Sequence, residues 1–464
     1  MSEGRRLIKN TGIIAIGNIS TKLVSFFLLP LYTSILTTVE YGVIDYILSV
    51  TIILVPFVTL LMDEAIFRYL IDCKTEEDKK RVISNSFAII LGGIVVFSLF
   101  AIPILLYLQY NYSIYLLLYV LTNSLVTMVS AFLRGIGHIK QYAVYNFFCS
   151  ALQIVLNVIL IVVLKMRVYG MLNAYIISGI AVSVFYLIKV KIWKYIDFRK
   201  CDKKVAEDMI KYSLPLIPNR ISWTIINVSD RIIVMNFVGG ASAGLYAVSN
   251  RFPSLMDTVY GFFYQSWKES SARALNNNES EDFYNYVYKH LKSFLFAMVV
   301  GLTAFMPLLF AILIDSSFSK AIVYVPFLLL ATYFMNISGF YGGIFTAYKD
   351  TKIMGTTTIA AAVINLLVNI SLIWKLGLYA AAVSTLVANF VVYEYRKIKI
   401  KKYIRLNENK IANLLAIAVI AIIWSLFYMN RFIYLIIGGC IAVVYAIVTN
   451  LELIRILIKS ISRN

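Results

Sequence analysis

Apolar runs of about twenty residues, separated by short polar turns, recur along the whole chain and dictate what it can become. A run of that length crosses the hydrocarbon core of a bilayer as a helix, whose backbone hydrogen bonds all close within the segment. Turn and charge signals divide the 464 residues into spans near 11–36, 41–62, 83–109, 113–134, 142–165, 169–190, 213–238, 244–267, 290–314, 321–346, 353–375, 378–396, 411–429 and 432–453. The expected fold class is an all-α polytopic membrane protein of about 14 transmembrane helices. Composition agrees, with 60% of residues hydrophobic and 14% charged, against roughly 45–50% and 25% in soluble domains. A soluble enzyme, a nucleic-acid module and a secreted disulfide scaffold are thereby excluded. Cys73, Cys149, Cys201 and Cys440 show neither metal-ligand nor CxxC spacing, so no metal site is expected.

The net charge of +19 reads differently in a membrane chain, where Lys and Arg collect in cytoplasmic loops. With the N-terminus placed inside, the outer loops hold only Lys165, Arg167, Lys320, Lys375 and Arg431, and the spans hold Lys22, Arg220, Arg231 and Arg251. Every other Lys and Arg of the 43 falls on the inner side, most densely at 189–211 and 396–410. Both termini are thus expected in the cytoplasm, with membrane lipids as partners and no nucleic acid. The outer loops are too short to carry the catalytic groups of a polymerase, ligase or glycosyltransferase. No GxxxxGK[ST] phosphate loop is present. The chain reads as a transporter rather than an enzyme, driven by a gradient or by substrate supply, with no cofactor.

The sequence also repeats itself. Leu7-Ile8-Lys9 aligns with Met209-Ile210-Lys211, and at the same offset Gly42 in EYGVIDY pairs with Gly244 in SAGLYAV. Further on, Lys140 pairs with Lys352, Gln153 with Asn365 and Asn157 with Asn369. Two parallel six-span bundles are expected at 1–205 and 206–410, around a central cavity, with two extra helices at 411–464. Parallel repeats with substrate bound between the halves are a known transporter plan. The extra helices contain no Asp, Glu, Lys or Arg over 411–430 or 432–451, which suits lipid-facing packing or a groove for a lipid tail.

EYGVIDY, LMDEAIFRY, SDRIIVMNFVGGASAGLYAVSNR and NLLVNISLIWKLGLYAAAVST, taken in order, resemble the polysaccharide transporter (Wzx-type) branch of the multidrug, oligosaccharidyl-lipid and polysaccharide exporter superfamily. The resemblance covers essentially the whole chain. It departs at Ala380–Ala382, where a glycine is expected beside the small-residue run. It implies a flippase that moves polyprenyl-pyrophosphate-linked oligosaccharide across the bacterial cytoplasmic membrane by alternating access. The product would feed capsule, O-antigen or exopolysaccharide assembly, with polysaccharide polymerase and chain-length machinery as expected partners. A multidrug antiporter and a peptidoglycan-precursor flippase of the same superfamily are the alternatives.

Ionisable groups inside a span cost roughly 2.5–3.5 kcal/mol on insertion scales and are functional candidates by default. Lys22 lies roughly 16 Å deep, counted along its helix. Asn18, Lys22 and Ser25 share a helical face, and the second repeat matches them with Arg220, Thr224 and Asn227. Arg251 and Asp257 follow on span 8, and Asp45 lies on span 2. Lys22, Arg220 and Arg251 are the candidate headgroup contacts, supported by Asn18, Thr224 and Asn227, because guanidinium and ammonium suit phosphate oxygens. Asp45, Asp230 and Asp257 are the candidates for coupling to H+ or Na+. Asp230 and Arg231 can equally serve helix pairing, and Asp257 can balance Arg251 or Lys22. Glu64 and Arg68 read as an interfacial ion pair. Gln153, Asn157, Asn365 and Asn369 read as groups that hydrogen-bond neighbouring helices.

Overall fold

The computed structural model describes residues 26–108, 111–276, 280–350, 352–429 and 431–461. Asn18 and Lys22, with most of the first expected span, lie outside the described residues. Within them every extended regular element is helical. The chain forms two compact units, Met1–Val228 and Ser229–Asn464.

The first unit contains α1 (Leu29–Ile35), α2 (Thr38–Thr59), α3 (Met62–Asp72), α4 (Glu76–Leu108), α5 (Ser113–Gly135), α6 (Ile139–Asn157), α7 (Arg167–Lys189) and α8 (Lys203–Ser213). Pro30 stands in the first turn of α1, where its missing N–H costs nothing. A capping box opens α2, with Thr37 accepting from the Glu40 amide while the Glu40 carboxylate accepts from the Thr37 amide. The same carboxylate accepts from Arg167 Nε at 2.7 Å and Nη2 at 2.6 Å, which ties the start of α2 to the start of α7. Helix α8 is amphipathic. It buries Met209 against a core of α3, α4 and α5 residues such as Ile66, Val82 and Phe132, and leaves Lys203 and Lys204 exposed.

Helix α9 (Ile217–Phe237) runs across the division between the units. The second unit continues with α10 (Gly240–Ser249), α11 (Arg251–Asn276), α12 (Ser280–Leu313), α13 (Val325–Ala347), α14 (Lys352–Leu376), α15 (Leu378–Ile400), α16 (Lys410–Met429) and α17 (Phe432–Ile461). Ala380, Ala381 and Ala382 are fully buried, so the departure from glycine noted above still lets α15 pack closely on its neighbours. Trp267 of α11 is buried, donates to the Phe340 carbonyl at 3.0 Å and stacks on that ring.

Eleven helices among the described residues are long and apolar enough to cross a membrane. Helices α9 and α11, with 21 and 26 residues, are long enough but carry Arg220, Asp230 and Arg231, and Arg251, Asp257 and Lys268, which lower their apolarity. One boundary needs correction. Arg396, expected at the start of a basic inner loop, lies inside α15 and is 3% exposed. Its Nε and Nη2 donate to Thr357 Oγ1 at 3.0 and 2.8 Å, and Nη1 donates to the Ser338 carbonyl at 3.0 Å. One guanidinium thus joins α13, α14 and α15.

The linker before α16 is fastened by Glu408. Its carboxylate accepts from Lys397 at 3.0 Å, Tyr288 at 3.2 Å and Asn413 at 3.3 Å, and Lys292 donates to Asn413 at 2.7 Å. Burial raises the Glu408 pKa, but Lys397 and Lys292 outweigh it and hold the carboxyl below its ordinary value of 4.5. A depressed carboxylate contributes stability that is present above the unfolded pKa and lost as pH falls through the folded one. Glu408→Gln is therefore expected to lower the unfolding midpoint in detergent at pH 7. The gap from wild type should close as the pH drops below 4.5, and equal midpoints at both pH values would contradict the assignment.

Candidate functional site

Two polar centres stand out, one in each unit. The first forms where the second span breaks. Leu60 and Leu61 both take left-handed backbone angles, with φ of 50° and 51°, a conformation costing about 1–2 kcal/mol per non-glycine residue. The break ends α2 and starts α3 in a new direction, placing Asp63 in the first turn, where a carboxylate complements the helix N-terminus. Gly93 of α4 lets the neighbouring helix approach the broken end. A Cβ there would lie 2.0 Å from the Val58 carbonyl oxygen.

Beside the break lies a cavity of about 180 Å³, room for about six waters. Thr51, Thr59, Asp63, Tyr119, Asn123 and Arg220 are among the polar residues that line it. Arg220 is exposed, whereas Thr51 is 1% exposed. Thr51 Oγ1 and Asp63 Oδ1 are buried with no hydrogen-bond partner among the described residues. Thr59 donates to the Val55 carbonyl at 2.9 Å and Asn123 to the Tyr119 carbonyl at 3.1 Å.

The second centre is built on Asp230, which is 3% exposed. Asn369 donates to its Oδ1 at 2.7 Å, Tyr246 donates to Oδ2 at 3.0 Å, and Thr385 donates to the same oxygen in a short bond. Ser229 donates to Asn365 Oδ1 at 3.1 Å, and Asn365 reaches Thr385 at 3.4 Å. Four helices, α9, α10, α14 and α15, converge here on one carboxylate. Asn369 Oδ1 has no hydrogen-bond partner among the described residues. Carboxylate, carboxamide and hydroxyl oxygens form a hard donor set, suited to a proton or to a small hard cation.

Asn157, Asn365 and Asn369 all hydrogen-bond neighbouring helices, as expected, with Asn157 donating to Tyr32 at 2.9 Å. On α9, Thr224 is buried and donates to the Arg220 carbonyl, while Asn227 is exposed and donates to the Trp223 carbonyl. Asp45 is buried in α2, Arg251 is half-buried at the start of α11, and Asp257 is exposed further along it. The expected Glu64–Arg68 pair is replaced by Arg68–Asp72 at 2.5 Å. Sequence reading missed Asp63, Thr51, Tyr246 and Thr385. Asp63, Tyr246 and Thr385 each lie within a quoted motif, LMDEAIFRY, SDRIIVMNFVGGASAGLYAVSNR and NLLVNISLIWKLGLYAAAVST respectively, whereas Thr51 lies in none.

The profile of the family described as polysaccharide biosynthesis protein matches residues 7–267. An uncharacterised membrane protein of Methanocaldococcus jannaschii is 23% identical over 425 residues, which is 86% of this chain and 99% of that protein. The lipid II flippase MurJ in its inward closed conformation superposes with a TM-score of 0.73 at 17% identity, covering 96% of this chain and 99% of that one. An inward-facing multidrug resistance MATE family transporter of the MOP superfamily gives 0.66 at 16% identity, covering 84% and 98%. The fold is therefore that of MOP-superfamily transporters.

Removing one donor from a buried carboxylate leaves a charge without its solvation. Thr385→Val should destabilise the protein by about 1–3 kcal/mol, read as a lower unfolding midpoint in detergent, and Thr385→Ser should restore most of it. If valine and serine behave alike, the hydroxyl is not what holds Asp230.

Proposed function

This chain belongs to the polysaccharide biosynthesis protein family, and on that premise we propose that it is a flippase for polyprenyl-pyrophosphate-linked oligosaccharide. It is a multi-pass membrane protein, and in this reading it lies in the cytoplasmic membrane with both termini inside. It moves the glycolipid to the outer leaflet by alternating access of its two six-span repeats, 1–205 and 206–410. The observation that carries the reading is the joining of a polysaccharide-biosynthesis family to a fold similar, over nearly the whole chain, to that of a lipid II flippase. The family points to glycan, and the fold's use for a lipid-linked cargo in that relative points to a lipid anchor.

In this mechanism Lys22, Arg220 and Arg251 hold the pyrophosphate, with Asn18, Thr224 and Asn227 beside them. Arginine offers a planar fork to phosphate oxygens, and lysine offers a compact charge. Asp230 is the favoured coupling residue, ahead of Asp45 and Asp257, because its buried oxygen cluster can take up a proton or Na+ and so bias one packing of four helices. Polymerase and chain-length proteins would receive the exported unit.

The test compares purified protein in nanodiscs with polyprenyl-pyrophosphate oligosaccharide, its monophosphate counterpart and a cationic dye. Wild type should be stabilised most by the pyrophosphate lipid, and Arg220→Ala should weaken that response. In proteoliposomes, Asp230→Asn should remove any dependence of glycolipid transport on a proton or sodium gradient. A preference for the dye, with no response to the glycolipid, moves the protein to the drug-exporter class. A preference for a peptidoglycan precursor moves it to that flippase branch.

A further inference from the structure

The cavity at the break of the second span has a composition that narrows what can occupy it. Asp63 and Arg220 bring one negative and one positive group to the same cavity. A phosphate entering it meets the carboxylate, and a metal cation meets the guanidinium. A neutral polyhydroxyl ligand meets neither difficulty. Its hydroxyls can donate to the carboxylate and accept from the guanidinium, while Asn123, Tyr119 and the Thr51 hydroxyl offer both roles. Ile52, Val55 and Pro56 also line the cavity and add an apolar surface that suits the carbon face of a pyranose ring. The volume of about 180 Å³ accommodates one sugar ring in place of the ~6 waters that would fill it.

Two further observations make this a built site rather than a packing defect. Thr51 Oγ1 and Asp63 Oδ1, both on residues that line the cavity, are buried polar atoms without hydrogen-bond partners among the described residues, and such groups are costly to bury unsatisfied. Arg220, in contrast, is exposed, so its fork can reach a group outside the cavity while its charge still faces Asp63. We propose that this cavity binds the sugar residue attached directly to the pyrophosphate of the lipid-linked substrate, with Asp63 and Thr51 reading its hydroxyls and Arg220 bridging sugar and phosphate. The assignment rests on the flippase reading above and names the part of the substrate that the first unit recognises.

The experiment measures binding of two probes to the full-length protein in nanodiscs: polyprenyl-pyrophosphate carrying a single N-acetylhexosamine, and bare polyprenyl-pyrophosphate. Wild type should favour the sugar-bearing lipid by about tenfold, the worth of one or two hydrogen bonds to buried or charged groups. Thr51→Val and Asp63→Asn should each reduce that ratio towards unity, and Thr51→Ser should keep it. Unfolding midpoints confirm that each variant is folded, and the serine variant keeps the test decisive if Asp63→Asn does not fold. Equal affinity of wild type for the two lipids, or an undiminished ratio in Thr51→Val, overturns the sugar site while leaving the flippase reading intact. Wild type that binds neither lipid overturns the flippase reading, and the sugar site with it.

Discussion

A lipid bilayer supplies no hydrogen bonds, so every polar group of this chain must find its partner in the protein or in a water-filled space. That condition explains why the described elements are helices, and why exceptions to regular helix are covered. Next to the Leu60–Leu61 break, Gly93 lets α4 close on the Val58 carbonyl. Arg396 directs its donors at a threonine hydroxyl and a backbone carbonyl rather than at a carboxylate. Asp230 is held by three neutral donors from three other helices. Arg396 and Asp230 thus determine how several helices meet, whereas buried hydroxyls such as Thr33, Ser86 and Ser124 bond carbonyls of their own helices.

The internal repeat shows how one arrangement can be put to two uses. Asn157 and Asn369 occupy matching positions in the sequence, and each donates to a residue on the helix that begins its half. The acceptor is the Tyr32 hydroxyl in one case and the Asp230 carboxylate in the other. Both asparagines leave Oδ1 without a hydrogen-bond partner among the described residues. The first unit therefore has a neutral inter-helix link where the second has an ionisable one. In the proposed mechanism, coupling to an ion belongs to the second unit and sugar recognition to the first.

Much of the fold was legible because lipid solvation imposes long apolar runs, which a periodicity reading detects. The runs located α9 too, expected at 213–238 and found at Ile217–Phe237, whereas the span expected at 244–267 is divided between α10 and α11. Helix ends were also misplaced where charge stood in for geometry. Arg396 was grouped with Lys397 and Lys399, yet the helix continues past all three to Ile400 and turns only the arginine inward. Arg68 sits four residues from both Glu64 and Asp72, and sequence spacing cannot choose between them. Asp230 was visible as an acid in an apolar span, but Thr385 comes from 155 residues away. Such pairings arise from packing, which no local pattern encodes.

Gly93 has a bearing on motion. Its hydrogen-only side chain allows α4 to rest against the Val58 carbonyl at a distance that excludes any larger residue. A slide of α4 by one helical turn, about 5.4 Å, would bring Ile89 and Ile90, or Val96 and Phe97, to that contact. None of these fits. The two helices are therefore locked in register and behave as a single strut. Whatever rearrangement carries cargo across the membrane has to pivot at places other than this seam.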